Sequence, residues 1–243
     1  MPSINRREML GQACFAGVGL AGPPEPVEGP PRKLKVIVTG GHPGDPEYGC
    51  GGTVARYSEL GHEVVLLYLN DGVPAGKPGD GVRVAEARKA CEVLKARPIF
   101  AGQIDGEAVV DRAHSETFRA ILEAERPDLV FTHWPIDNHA DHRAISMLVY
   151  DAWLRMDRRF ALYYYEVSNG EDTVQFAPTH HVDVTAEEPK KRRACFAHTS
   201  QSPSKFYDLQ EQVMRLRGIE RGCRLAEGFI RHVQSPDFTL PMG

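Results

Sequence analysis

From residue 33 onward the chain switches back and forth between two patterns of apolar residues. Short continuous apolar runs rich in β-branched residues, "KLKVIVTGG" (33–41), "HEVVLLYLN" (62–70), "RPIFAGQI" (97–104) and "DLVFTHWP" (128–135), predict buried strands. Between them "GGTVARYSELG" (51–61), "VRVAEARKACEVLKA" (82–96) and "DRAHSETFRAILEAERP" (111–127) space their apolar residues at helical intervals, and "HRAISMLVYDAWL" (142–154) does so after the fourth run. This rhythm predicts an α/β fold of the Rossmann-like three-layer kind, a mainly parallel sheet covered by helices on both faces. In such sheets ligands bind outside the carboxyl ends of the strands. A less regular part follows, with strands predicted in "FALYYYEVS" (160–168) and "VQFAPTHHVDVT" (174–185) and a long helix from about Phe206 to Gly228. Residues 163–165, all tyrosine, alternate across their strand, so one or two of the rings belong to the core.

Composition adds little to this picture but narrows the function. A chain of 243 residues with 42% hydrophobic and 26% charged content suits one globular domain. A net charge of -4 with scattered basic residues gives nucleic acid no electrostatic footprint. The one basic run, Lys190 to Arg193, reads as a solvated helix face. Residues 1–32 differ from the rest: adjacent Arg6 and Arg7, an apolar stretch from Met9 to Ala21 too short and glycine-rich to span a bilayer, then a proline-rich linker. "NRREML" resembles a twin-arginine export signal, which predicts a periplasmic or extracellular protein with no stable membrane span once the signal is removed, and a domain over 33–243. Without that signal the expected location is the cytoplasm. Cysteines 14, 50, 91, 195 and 223 show no C-x-x-C spacing, which excludes a zinc ribbon and leaves buried free thiols as the expectation.

The first strand runs into "GGHPGDPEYGCGGT" (40–53), which reads as a tight glycine-rich turn. A dinucleotide site fits poorly there, because the G-x-G-x-x-G order is missing and the second strand ends without an acidic residue, Asp71 lying already in the loop. A metal site fits better. His42 and Asp45 are three apart on the turn, and "THWPIDNHADHRA", at the end of the fourth strand, supplies His139, Asp141 and His142. Two histidines and a carboxylate with one position left open is a hydrolytic metal arrangement.

"HPGDPEYGCGGT", "LYLNDG" and "HADHRA", in this order on this rhythm, resemble the PIG-L/LmbE-like deacetylases, zinc enzymes that remove acetyl from N-acetylglucosamine-type substrates. The resemblance spans roughly Lys33 to Gly228. It implies Zn2+, or another divalent metal, held by His42, Asp45 and His142. It makes His139 the residue that stabilises the oxyanion or protonates the leaving amine, with Asp141 orienting its ring. Arg83 and Asp105 match positions that touch sugar hydroxyls, and "AHTSQ" (197–201) matches a segment bordering the pocket, where His198 and Gln201 either contact substrate or tie the loop down. The family's His-Pro-Asp-Asp-Glu has Gly44 in place of its first aspartate, the general base, which leaves Glu47 and Asp137 as substitutes. The expected function is therefore a metal-dependent amidohydrolase acting on an N-acetylated amino sugar or its conjugate, a small-molecule or glycan substrate. The alternative is a catalytically weak metal-dependent carbohydrate-binding protein. A homo-oligomer is left open.

Overall fold

The structure, a computed structural model, describes residues 32–241; the expected export signal and Cys14 lie outside the described residues. Five strands, β1 (Lys35–Gly40), β2 (Glu63–Pro74), β3 (Arg97–Asp105), β4 (Leu129–His133) and β5 (Ala161–Tyr165), alternate with four helices, α1 (Asp45–Glu59), α2 (Val82–Leu94), α3 (Arg112–Glu125) and α4 (Ala140–Arg155). Then come β6 (His180–Asp183), α5 (Glu188–Phe196), α6 (Pro203–Arg221) and β7 (Ala226–Arg231). The seven strands form one sheet in the order β3-β2-β1-β4-β5-β7-β6. Strands β1 to β5 are parallel, and β7 runs antiparallel to both β5 and β6. The chain winds outward from β1 through β2 to β3, then returns to lay β4 against the other side of β1. That reversal opens a crevice at the carboxyl ends of β1 and β4, and both histidine motifs leave the sheet there.

Burial on both faces explains the continuous apolar runs. Val36, Val38, Leu66, Tyr68 and Phe131 pack on the face covered by α1, α2 and α5, while Ile37, Val65, Leu67 and Val130 pack on the opposite face. Tyr163 and Tyr165 belong to the first layer and Tyr164 to the second, so all three rings are buried rather than one or two.

Several expectations need correction. The glycine-rich stretch is not a loop: α1 begins at Asp45 and runs through Gly49, Gly51 and Gly52. Those glycines serve close packing, since a Cβ on Gly49 would lie 2.3 Å from Tyr165 Cδ2 and one on Gly52 2.5 Å from Val184 Cβ. The basic run is a solvated face only in part: Arg192 and Arg193 are exposed and Lys190 is half-buried, but Lys191 is not exposed at all. Lys191 is fully buried and pairs with Glu227 at 2.6 Å, and the same carboxylate accepts the N–H groups of Gly52 and Thr53, each at 2.8 Å. A buried lysine with so close a partner ties α5 and β7 to α1. The last helix stops at Arg221, because Gly222 takes the left-handed conformation (φ 83) that ends helices, and residues 226–231 return as a strand. The strand expected over 174–185 is confined to His180–Asp183. Cys50, Cys91 and Cys195 are buried free thiols and Cys223 is a half-buried one. Among the described residues no helix is long and apolar enough to cross a membrane.

Candidate metal centre

The turn after β1 and the loop after β4 bring their polar side chains to one point. Gly44, at φ 113, bends the chain so that Asp45 becomes the first residue of α1, and the backbone N–H of His42 donates to Asp45 Oδ2 at 2.8 Å. That oxygen lies 3.3 Å from His42 Nδ1 and 3.2 Å from His142 Nε2. The far nitrogen of each ring is also held. His42 Nε2 donates towards Asp141 Oδ2 at 3.1 Å and Asp105 Oδ1 at 3.0 Å, and His142 Nδ1 towards Asp137 Oδ1 at 3.1 Å. A carboxylate behind a ring fixes its tautomer and turns the other nitrogen's lone pair forward, as metal-ligating histidines require. Both rings thus face Asp45 Oδ2, and the groups close enough to share one divalent ion are His42 with His139 and His142, Asp45 with His133 and His142, and His42 with Asp105 and Asp141.

Charge sharpens the same point. Burial disfavours a protonated His42 ring, but Asp45, Asp105 and Asp141 outweigh it and hold its pKa well above the ordinary histidine value. His142 is likewise disfavoured by burial yet raised to about 9 by Asp45 and Asp137. Burial would raise Asp45, but His142 and His42 keep it well below the usual carboxylate range. Positive charge is thus favoured at His42 and His142, the two rings that face Asp45 and are backed by further carboxylates.

His139 caps α4: its Nδ1 accepts the backbone N–H of Asp141 at 3.2 Å. Burial and the neighbouring charges of His42 and His142 lower its pKa, so the ring is neutral with its proton on Nε2. Asp141 does not orient this ring with its side chain. Its carboxylate instead accepts Asn70 Nδ2 at 3.0 Å and the Gly106 N–H at 2.8 Å besides facing His42, and it is held at about 2, the cost of burial being exceeded by these partners.

The cavity over the cluster measures ≈ 290 Å³. Its lining includes His42, Asp45, His139 and His142, the polar Arg83, Asp105 and His198, and the apolar or aromatic Tyr48, Val167 and Phe206. Arg83 donates to the carbonyls of Pro43 (3.0 Å) and Gly72 (3.3 Å), and its guanidinium lies 3.8 Å from Asp105 Oδ2. His198 is buried with Nε2 on Glu47 Oε1 at 3.0 Å.

Neither substitute base stands in this cavity. Glu47 is fully buried behind His198 and accepts the Tyr68 hydroxyl at 2.7 Å; Asp137 is turned behind His142 and accepts the His139 N–H at 2.8 Å and the Thr173 hydroxyl at 3.0 Å. Each thus supports a histidine and does not line the cavity, although Glu47 Oε2 is buried without a hydrogen-bond partner. Four residues escaped the sequence reading. His133, the last residue of β4, stacks on His142 at 4.0 Å with Nε2 3.3 Å from Asp45 Oδ2, but it is fully buried, is lowered to about 4 by burial and by His142, and lies outside the cavity wall. Asn70 lies within β2, which continues through Asp71 to Pro74 rather than ending before Asp71, and donates Nδ2 to Asp141. Glu86 on α2 accepts from Thr199 and Ser200 and so anchors the loop that carries His198. Asp172 lines the cavity from the loop after β5. His133 alone carried a signal, a histidine ending a predicted strand.

Residues 37–153 match the PIG-L family, described as GlcNAc-PI de-N-acetylase. Over 217 residues it is 28% identical to the diacetylchitobiose deacetylase of Thermococcus kodakarensis, spanning 80% of this chain and 81% of that one. A conserved protein of Thermus thermophilus superposes with a TM-score of 0.74 at 26% identity, covering 86% of this chain and 99% of the other. The 4-carboxy-2-hydroxymuconate hydratase of Pseudomonas putida gives 0.73 at 20%, covering 86% and 100%. The chain thus has the LmbE-like α/β fold, and because that fold also carries a hydratase, the reaction has to be argued from the site.

Proposed function

We propose that the chain is a metal-dependent hydrolase that removes acetyl from an N-acetylated amino sugar or its conjugate. The observation that carries this reading is that His42 Nδ1 and His142 Nε2 both face Asp45 Oδ2, at 3.3 and 3.2 Å, each ring backed by a carboxylate. The diacetylchitobiose deacetylase among its relatives supports the substrate class.

His42, Asp45 and His142 would hold the ion, zinc by their donor chemistry. Bound there, it would supply a Lewis acid for the acetyl carbonyl and a lowered pKa for the attacking water. The remaining work falls to side chains. His139, neutral with its proton on Nε2, donates a hydrogen bond to the carbonyl oxygen as negative charge develops on it. Arg83, anchored on two carbonyls, and Asp105 beside it offer a donor and an acceptor to sugar hydroxyls, while Tyr48, Val167 and Phe206 cover the ring's apolar face. Asp141 and Asp137 orient His42 and His142.

Gly44, which brings no side chain to the cavity, favours one second reading, a carbohydrate-binding protein of low turnover. Acetate release measured across a panel of N-acetylated amino sugars, with and without added divalent metal, separates the two: metal-dependent release supports the hydrolase, and sugar binding without release supports the binder. We also infer export through the twin-arginine route from Arg6 and Arg7. Lysine at both positions should retain the protein in the cytoplasm, and unchanged export would contradict the inference.

A further inference from the structure

We propose that Asp172 is the general base of this reaction, taking the proton of the water that attacks the acetyl carbonyl. The inference rests on the hydrolase reading above. Among the described residues, three carboxylates line the cavity: Asp45, Asp105 and Asp172. Asp45 is enclosed by histidines, and Asp105 lies between His42 and Arg83. Asp172 has only the Ser168 hydroxyl as a side-chain partner and keeps acceptor capacity towards the cavity. Glu47 and Asp137 are sealed behind their histidines, and Gly44 offers nothing.

The loop carrying Asp172 is held in register with the metal cluster. The Asp172 N–H donates to the Ser168 carbonyl at 2.9 Å, and the Asp172 carbonyl accepts the Asn138 N–H at 2.8 Å. The next residue, Thr173, is fully buried and donates to Asp137 Oδ2 at 3.0 Å, and Asp137 is the carboxylate that aims His142. One aspartate therefore fixes both a metal-binding ring and the neighbour of the base, which is how a base is kept within reach of a reacting water. Burial raises the Asp172 pKa above the ordinary aspartate value; Asp137 and Asp45 add to this, and His142 and the Ser168 hydroxyl oppose it. A carboxylate of raised basicity takes a proton more readily near neutral pH.

In the step itself, the water oxygen bonds to the acetyl carbon while its O–H bond breaks towards an Asp172 oxygen, and the carbonyl π pair moves onto the carbonyl oxygen. Collapse of that tetrahedral centre re-forms the C=O bond and breaks C–N. The proton held by Asp172 goes to the departing nitrogen, giving acetic acid, a free amine and the carboxylate restored; the acid then ionises to acetate on release, its proton passing to water or to the amine.

The test compares the full chain with Asp172→Asn and Asp172→Ala for kcat, KM and bound metal on an N-acetyl sugar the parent hydrolyses. Asp172→Asn should lower kcat by about 10²–10⁴-fold, with KM and metal content close to the parent and the acid limb of the pH profile abolished. Added formate should restore turnover to Asp172→Ala but not to Asp172→Asn, which also shows that the alanine protein is folded. The assignment is overturned if Asp172→Asn keeps turnover within tenfold of the parent, if KM rises while kcat holds, or if metal is lost along with activity. A metal-loaded parent that releases no acetate overturns the hydrolase reading and the base with it; a parent that does, alongside an equally active Asp172→Asn, overturns the base alone.

Discussion

Replacing Gly49 by alanine sets two effects of opposite sign against each other. Gly49 sits inside α1, where alanine is the better helix former by about 1 kcal/mol. Its added methyl, however, would lie 2.3 Å from Tyr165 Cδ2, 2.5 Å from Cε2 and 3.1 Å from the Glu166 carbonyl oxygen. The ring cannot swing aside cheaply. Tyr165 is fully buried, its hydroxyl donates to the Thr39 carbonyl at 2.8 Å, and it lies 3.0 Å from His133 Nε2. Overpacking of this kind costs about 1–3 kcal/mol, and losing the hydroxyl's hydrogen bond adds about 1 kcal/mol. The clash wins, with a net loss of about 1–3 kcal/mol once the propensity gain is subtracted. At roughly 2–4 °C per kcal/mol for a domain of this size, Tm should fall by about 2–12 °C. Thermal melts of parent and Gly49→Ala in a chelator measure this without a contribution from bound metal. A variant as stable as the parent, or more stable, would refute the close approach of α1 to β5, and with it the position of Asp45 at the start of that helix.

Other outcomes follow from the same geometry. Gly44→Asp keeps ordinary contact distances, its Cβ 3.7 Å from the Tyr48 ring, but forces a non-glycine residue to φ 113; it should cost about 1–3 kcal/mol, matched by Gly44→Ala, and a denaturation midpoint equal to the parent's would refute the strain. Asp137→Ala removes the partner of His142 Nδ1 and should weaken metal binding by about 10–100-fold in competition with a chelating dye; unchanged affinity would count against that role. Because His42 and His142 must be neutral to bind metal, loading at neutral pH should release protons and apparent affinity should climb as pH rises towards about 9, the His142 value; a flat profile contradicts the ligand set. In the metal-free protein the sign reverses. The stability His142 gains from its raised pKa is complete below its unfolded value and is lost as pH rises through about 9, which urea melts across that window would register.

The strands and both histidine motifs were legible in the sequence because full burial writes a continuous apolar run and because ligands at strand ends sit beside glycines that turn the chain. Gly49, Gly51 and Gly52 misled for a related reason: glycine marks a turn or a close approach, and only the positions of Tyr165, Lys191 and Val184 decide between them. The resemblance gave Asp141 the task of orienting His139, yet His139 caps α4 and accepts only the Asp141 backbone N–H, while the Asp141 carboxylate turns to His42, Asn70 and Gly106. Lys191 reads as solvated in a run of four basic residues until Glu227, far along the chain, is found against it. Asp172 belongs to no motif. Its place in the cavity is created by hydrogen bonds to a loop more than thirty residues earlier.

The central claim is that one metal ion, held by His42, Asp45 and His142, makes this chain a deacetylase. The most direct measurement is acetate release from an N-acetylglucosamine oligosaccharide by metal-stripped protein titrated with zinc. The account predicts no release from stripped protein, a rise that saturates at about one equivalent per chain, and no recovery at that equivalence for His42→Ala or His142→Ala. Release that survives complete chelation, or a parent that binds one equivalent and releases no acetate, would contradict it.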